Sequence, residues 1–259
     1  MPAKRRADQI LAERGLVESR ARAQALIVAG LVFVGERRVS KPGDMLAADA
    51  SIEIRGREHP WVSRGGVKLA HALDHFAIDP HGWTALDIGA STGGFTDVLL
   101  ARGARRVYAV DVGHGQLAWK LRQDPRIVVY ERINARSLSR EQIPEPVDIV
   151  TCDASFIGLA TVLPAPLALT AQEAALVALV KPQFEAGPGD VGKGGVVRDP
   201  AIHCRVCERA AAWVAAQPGW EVIGVIASPI LGPKGNREFL LYARRGAVAA
   251  KTARFSSGC

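Results

Sequence analysis

From residue 84 onward, short apolar runs alternate with stretches of helical spacing. TALDI (84–88), RVYAV (106–110), IVVY (127–130), VDIVTC (147–152), 173–180, 220–227 and 238–242 read as strands, rich in Val, Ile and Leu. Helical patterns fall at about 95–102, 114–122, 157–169 and 200–216. Strands that are apolar throughout and alternate with helices predict an α/β fold. Its seven-stranded sheet is mostly parallel, with helices on both faces. The last two strands have no helix between them, which predicts an antiparallel pair at one edge.

The front of the chain has a different pattern. Ile10, Leu11 and Leu16, then Ala25, Leu26 and Ile27, mark two short helices broken at Gly15 and Gly30. Ser19 is placed to cap the second. LVFVGERRVS and SIEIR are β-rich and are separated by KPGD, so a small hairpin is expected. In HPWVSRGG (59–66), Pro60 and the Gly65-Gly66 pair punctuate, and Trp61 is expected to pack. The expected division is a small α+β module at 1–58, a linker at 59–66 and the α/β domain at 67–259.

Composition sharpens this picture. Of 259 residues, 48% are apolar and 23% charged, ordinary globular usage that excludes a disordered chain. The net charge is +7, and residues 1–41 hold nine Lys or Arg against four acids. Such a surplus suits a polyanionic partner, because neutralising phosphates releases counterions. Charge that serves only solubility is the alternative. No apolar run reaches the roughly 18 residues of a membrane span, and MPAKRRADQI lacks the apolar stretch of a secretory leader. A soluble cytoplasmic protein is expected, with no membrane partner. Cys204 and Cys207 form a C-x-x-C with only His203 close by, short of the four ligands a structural zinc needs. No structural metal is expected. With Cys152 and Cys259, they read as reduced cysteines.

The candidate chemistry starts at LDIGASTGGF (86–95), where a strand ends, a glycine-rich turn follows and a helix opens. Open α/β sheets bind ligands at the carboxyl ends of their strands beside such turns. Gly89, Ala90, Ser91, Thr92, Gly93 and Gly94 are candidate cofactor contacts, since glycines admit backbone to a ligand and helix N-termini favour anionic groups. Asp111 ends the next strand, where an acid can accept hydrogen bonds from ribose hydroxyls. An adenosine-containing cofactor is expected. The turn lacks the second glycine of G-x-G-x-x-G, which disfavours NAD and fits S-adenosylmethionine. GPGDVGKG (187–194) is close to a phosphate-binding loop, but Gly194 stands where Ser or Thr should, so a flexible loop is expected there.

Asp153 and Lys181 follow strands, Lys68 lies on the helix entering the domain, and Glu238 opens the last strand. Asn134, Ala135 and Arg136 follow the third strand, on the adenine side of the expected cofactor. Phe156 either closes over the cofactor or packs as an ordinary core residue. Arg5, Arg6, Arg20, Arg22, Lys41 and Arg64 are candidate phosphate contacts, as is Arg136 for RNA.

Residues 86–119, CDASFIGL and LVKPQFEAG resemble the TlyA family, hemolysin-A-named ribosomal RNA 2′-O-methyltransferases with an FtsJ-type domain. RGLVESRARAQALIVAGLVFVGERRVSKPG is similar to that family's alpha-L RNA-binding module, shared with a small-subunit ribosomal protein. The resemblance covers nearly the whole chain. It implies a Rossmann-like S-adenosylmethionine methyltransferase acting on ribosomal RNA within ribosomal subunits, at cytidine. It also implies that Lys68, Asp153, Lys181 and Glu238 stand in a Lys-Asp-Lys-Glu tetrad. A 2′-OH is a weak acid, so a base has to take its proton, and Lys181 is the candidate if it is neutral. A charged Lys181 would instead stabilise the developing alkoxide. Two rivals are a membrane-active hemolysin and a non-catalytic ribosome-binding factor. The first needs a spanning or amphipathic segment, the second a broken tetrad or turn, and neither feature is found in the sequence.

Overall fold

The computed structural model describes residues 4–17, 19–55 and 59–246, so Cys259 lies outside the described residues. The chain divides into two compact units, one of Met1–Pro60 with Ala118–Lys120, the other of Trp61–Leu117 with Leu121–Cys259.

In the first unit, β1 (Lys4–Arg6), α1 (Ala7–Glu13) and α2 (Arg20–Val28) precede β2 (Val32–Val34), β3 (Arg37–Arg38), β4 (Met45–Ala47) and β5 (Ile52–Ile54). The Ser19 hydroxyl accepts the Arg22 N–H at 3.1 Å and caps α2. The run LVFVGERRVS is not one strand of a hairpin with SIEIR. It reverses at Gly35, whose φ is +57°, so β2 pairs with β3 on one side and β5 on the other. A second pairing, β1 with β4, was not expected because three residues are too few to show alternation. Ile10, Leu11, Ile27, Val32 and Leu46 form the core of this unit.

Asp8 is fully buried in that unit. Its carboxylate accepts from Arg6 Nε at 3.0 Å, Arg20 Nε at 2.8 Å and Gln24 Nε2 at 2.9 Å. The Arg6 hydrogen bond, opposed by burial, holds Asp8 well below the usual carboxylate range.

The second unit opens with α3 (Gly65–His75) and continues through β6 (Thr84–Ile88), α4 (Gly94–Ala101), β7 (Arg106–Asp111), α5 (Trp119–Arg122, whose first two residues group with the first unit), β8 (Ile127–Glu131) and β9 (Val147–Cys152). It ends with α6 (Leu159–Val162), α7 (Pro164–Ala168), β10 (Thr170–Val180), α8 (Pro182–Glu185), α9 (Pro200–Ala215), β11 (Trp220–Ala227) and β12 (Phe239–Arg245). The seven-stranded sheet has the order β11-β12-β10-β9-β6-β7-β8, and β6 to β10 run parallel. β12 inserts antiparallel between β10 and β11, so β11 is the edge.

Two predicted helices are shorter than expected. The pattern at 114–122 yields only α5, because Gly115 sits at φ +70°, outside the helical region. The pattern at 157–169 splits into α6 and α7 at Pro164, which cannot donate to a continuing helix. The glycine pair expected in the linker instead opens α3. A side chain on Gly66 would meet Trp61, and one on Gly94 would meet Ser63 and the Gly66 backbone, so these glycines allow α3 and α4 to pack closely. Among the described residues, no helix is long and apolar enough to cross a membrane.

Candidate active site

The strand order reverses between β6 and β9, which opens a crevice at their carboxyl ends. A cleft of about 400 Å³ lies there. Val112, Ile133, Ala135, Ile157 and Val162 supply apolar wall, while Asp111, Asn134, Asp153 and Ser155 supply polar groups. Its described lining contains carboxylates and no Lys or Arg. That donor set fits a cationic ligand carrying ribose hydroxyls and disfavours a pyrophosphate.

Of the glycine-rich turn, Gly89 and Ser91 line the cleft, whereas Ala90, Thr92, Gly93 and Gly94 do not. Gly89 has φ +78°, and a Cβ there would lie 3.0 Å from the backbone of Ala154, so only glycine lets the ends of β6 and β9 approach. Gly93 has φ +93°, and a side chain there would meet Leu117 and Leu121 rather than the cleft. The Asp111 carboxylate accepts Ser91 N–H at 2.8 Å and Gly113 N–H at 2.6 Å. These bonds fix its orientation and leave lone pairs for a ligand. Asn134 and Ala135 also line the cleft. Asn134 Oδ1 accepts from the backbone N–H and Nε of Arg136 at 3.1 and 3.2 Å.

Lys68, Asp153, Lys181 and Glu238 form two ion pairs. Lys68 Nζ lies 2.5 Å from Glu238 Oε2, and Lys181 Nζ lies 2.7 Å from Asp153 Oδ1. The register that pairs Val180 with Phe239 brings Lys181 and Glu238 opposite each other as β10 ends and β12 begins. A Cβ on Gly65, which opens the helix of Lys68, would stand 3.6 Å from Asp153 Oδ2. Lys68, Lys181 and Glu238 are 6%, 7% and 2% exposed, so their charges interact with little screening by water. Asp153 Oδ1 meets Lys181 as its ion-pair partner. It and Glu238 Oε1 are buried oxygens that accept no hydrogen bond.

Lys181 Nζ donates to Ser155 Oγ at 2.8 Å and to the Asp153 carbonyl at 3.1 Å. Ser155 escaped sequence reasoning, although it stands two residues after Asp153. Val112 and Gln116 escaped it too, although they follow Asp111 in the same loop. Phe156 is 90% exposed at φ +65°, which overturns the core reading. It lines the cleft, and its ring centroid is 4.9 Å from that of Phe184.

The basic residues of the first unit are placed variously. Arg22 and Lys41 are exposed, Arg5 pairs with Glu13 at 2.6 Å, and Arg6 and Arg20 reach Asp8 with about half of each side chain exposed. Arg64 and Arg136, in the second unit, are exposed.

Residues 61–245 match the model of the FtsJ-like methyltransferases, and residues 5–52 match that of the S4 domain. The 16S/23S rRNA (cytidine-2′-O)-methyltransferase TlyA of Mycobacterium tuberculosis is 50% identical over 94% of this chain and 91% of its own. This chain belongs to the TlyA family of FtsJ-like methyltransferases. Hemolysin A of Brachyspira hyodysenteriae is 39% identical over 92% of this chain and 98% of its own. The solved structure of a hemolysin-named protein of Streptococcus thermophilus superposes with a TM-score of 0.70 at 41% identity, over 95% of this chain and 90% of that one. In this TlyA-family chain the methyltransferase match thus contains both ion pairs and the cleft, and the S4 match contains Asp8 and its arginines.

Proposed function

We propose that the chain transfers a methyl group from S-adenosylmethionine to the ribose 2′-OH of cytidines in ribosomal RNA, acting in the cytoplasm on ribosomal subunits. The observation that carries this reading is the pair of buried ion pairs beside a cleft walled by carboxylates. The activity for which the Mycobacterium tuberculosis relative is named supports the choice of substrate.

S-adenosylmethionine supplies a methyl group already activated by its sulfonium charge. Asp111 would hold the ribose hydroxyls of the cofactor, Gly89 and Ser91 would border it, and Asn134, Ala135 and Phe156 would flank the adenine side. In its neutral form Lys181 takes the proton of the substrate 2′-OH as attack develops, and in its charged form it stabilises the developing alkoxide. Asp153 holds the Lys181 amine, and the Lys68–Glu238 pair holds the neighbouring strand end. Alignment of hydroxyl and methyl in such a site is worth roughly 7–11 kcal/mol. In the S4-type unit, Arg22 and Lys41 would meet phosphates, joined by the exposed parts of Arg5, Arg6 and Arg20. Arg64 and Arg136 would do so from the methyltransferase domain.

Lys181→Ala is expected to lower methyl transfer to ribosomal subunits about 10²–10⁴-fold while S-adenosylmethionine and RNA still bind. Tritiated methyl transfer, run beside calorimetry and RNA binding, measures this. Near-normal transfer by the variant would remove Lys181 from the assignment. Asp111→Ala is expected to weaken S-adenosylmethionine binding by about tenfold or more, the loss of one charge-assisted hydrogen bond.

A further inference from the structure

We infer that Ser155 is a positioning residue for methyl transfer, orienting the Lys181 amine toward the substrate hydroxyl. This rests on the reading of Lys181 as the base. Three groups of one short segment face Lys181 Nζ: the Asp153 carboxylate at 2.7 Å, the Asp153 carbonyl at 3.1 Å and the Ser155 hydroxyl at 2.8 Å. The Asp153 carbonyl and the Ser155 hydroxyl accept hydrogen bonds from Nζ, and the carboxylate oxygen meets it as the ion-pair partner. A neutral amine keeps two N–H bonds, so the hydroxyl and the carbonyl can accept from Lys181 before and after it gains a proton, which leaves its one lone pair for the incoming hydroxyl. Ser155 is also the group of the three whose residue is exposed, on the wall of the cleft where the substrate must arrive.

The segment that carries Ser155 is held at both ends. Asp153 N–H donates to the Ile88 carbonyl at 2.9 Å, which ties its start to β6. Leu159 N–H donates to Glu185 Oε1 at 2.7 Å, which ties its end to α8, the helix that follows Lys181. Ser155 is therefore presented to Lys181 by a fixed frame rather than by a free loop. In the step it serves, the O–H bond of the ribose hydroxyl breaks and its proton goes to Lys181 Nζ. The electron pair left on the oxygen forms the new O–CH3 bond, while the S–CH3 bond of the methyl donor breaks and its electrons stay on sulfur, which leaves as a neutral thioether. Ser155 accepts one N–H of the amine so that the one lone pair of Lys181 faces that hydroxyl.

The test uses the full-length protein with ribosomal subunits. Ser155→Ala is expected to lower kcat about 10–100-fold, the cost of a small misplacement of a reacting group, with KM for RNA and for S-adenosylmethionine changed less than about threefold. Ser155→Thr, which keeps the hydroxyl, is expected to recover most of the rate. Calorimetric binding of S-adenosylmethionine serves as the check that each variant folds. Normal kcat in Ser155→Ala, or no recovery in Ser155→Thr, overturns the inference. Parallel loss of cofactor affinity and rate also overturns it, making Ser155 a wall of the cofactor cleft. Lys181→Ala, assayed alongside, separates the two readings: an active Lys181→Ala sinks the base assignment itself, whereas an inactive one beside a normal Ser155→Ala sinks only the role of Ser155.

Discussion

Asp87 carries a carboxyl group away from water. It lies inside β6 with no exposure, and its oxygens accept the hydroxyls of Thr96 at 2.7 Å and Thr151 at 2.9 Å. Burial pushes its carboxyl up to about 6. The two threonine hydrogen bonds oppose this, and the charge of Asp153 adds to it. Because the folded value exceeds that of an unfolded chain, near 3.9, the folded state holds the proton more tightly. The stabilisation is complete below about pH 4 and is lost as pH rises through about 6. Two units correspond to about 3 kcal/mol. Asp87→Asn keeps an acceptor for one threonine and offers a donor to the other. At pH 7.5 it is expected to be about 1–3 kcal/mol more stable than the parent. Urea unfolding at pH 4, 5, 6 and 7.5 measures both the gain and the flattened pH dependence, and an unchanged slope would contradict the assignment. At the same scale, Arg6 and Arg20 read in the sequence as phosphate contacts because nothing there reveals that Asp8 is buried between them. Ser155 was illegible for a similar reason: its partner Lys181 reaches it only once β9 and β10 pair.

Elements were more legible than contacts. The strands of the large sheet are mostly apolar, so length and composition sufficed to find them, and the strand ends then located Asp153, Lys181 and Glu238. The order of the last strands was not readable, because two adjacent strands make an antiparallel pair whether or not one of them inserts beside β10. The glycine-rich turn was readable as a turn, but the duties of its glycines were not. Gly93 faces Leu117 and Leu121, and Gly94 faces α3, neighbours that only the folded chain assembles. Gly66→Ala is expected to destabilise the second unit by about 1–3 kcal/mol through overpacking against Trp61. Gly93→Val is expected to cost at least as much, with backbone strain at φ +93° added. Denaturant midpoints measure both, and a midpoint for Gly66→Ala equal to that of the parent would contradict the close packing of α3.

At the scale of the whole molecule, the basic first unit is expected to serve recognition and the methyltransferase unit chemistry. A chain of residues 60–259 is expected to keep S-adenosylmethionine affinity and to lose most transfer to ribosomal subunits. Binding of the full chain to ribosomal RNA is expected to weaken steeply between 50 and 200 mM salt, as phosphate contacts dominate such affinity. Filter binding across a salt series measures the second, and a slope near zero would contradict it. The insertion of β12 between β10 and β11 has a consequence for synthesis. Glu238 is separated from its partner Lys68 by 170 residues, and β11 joins the sheet only through β12. A growing chain can therefore build the cleft early, while Glu238, the charge partner of Lys68, is the last of the four paired residues to be translated. On the proposed reading, the nascent protein is expected to hold a methyl donor before it can use it, and activity is expected only when β12 adds to the edge of β10 and brings β11 with it.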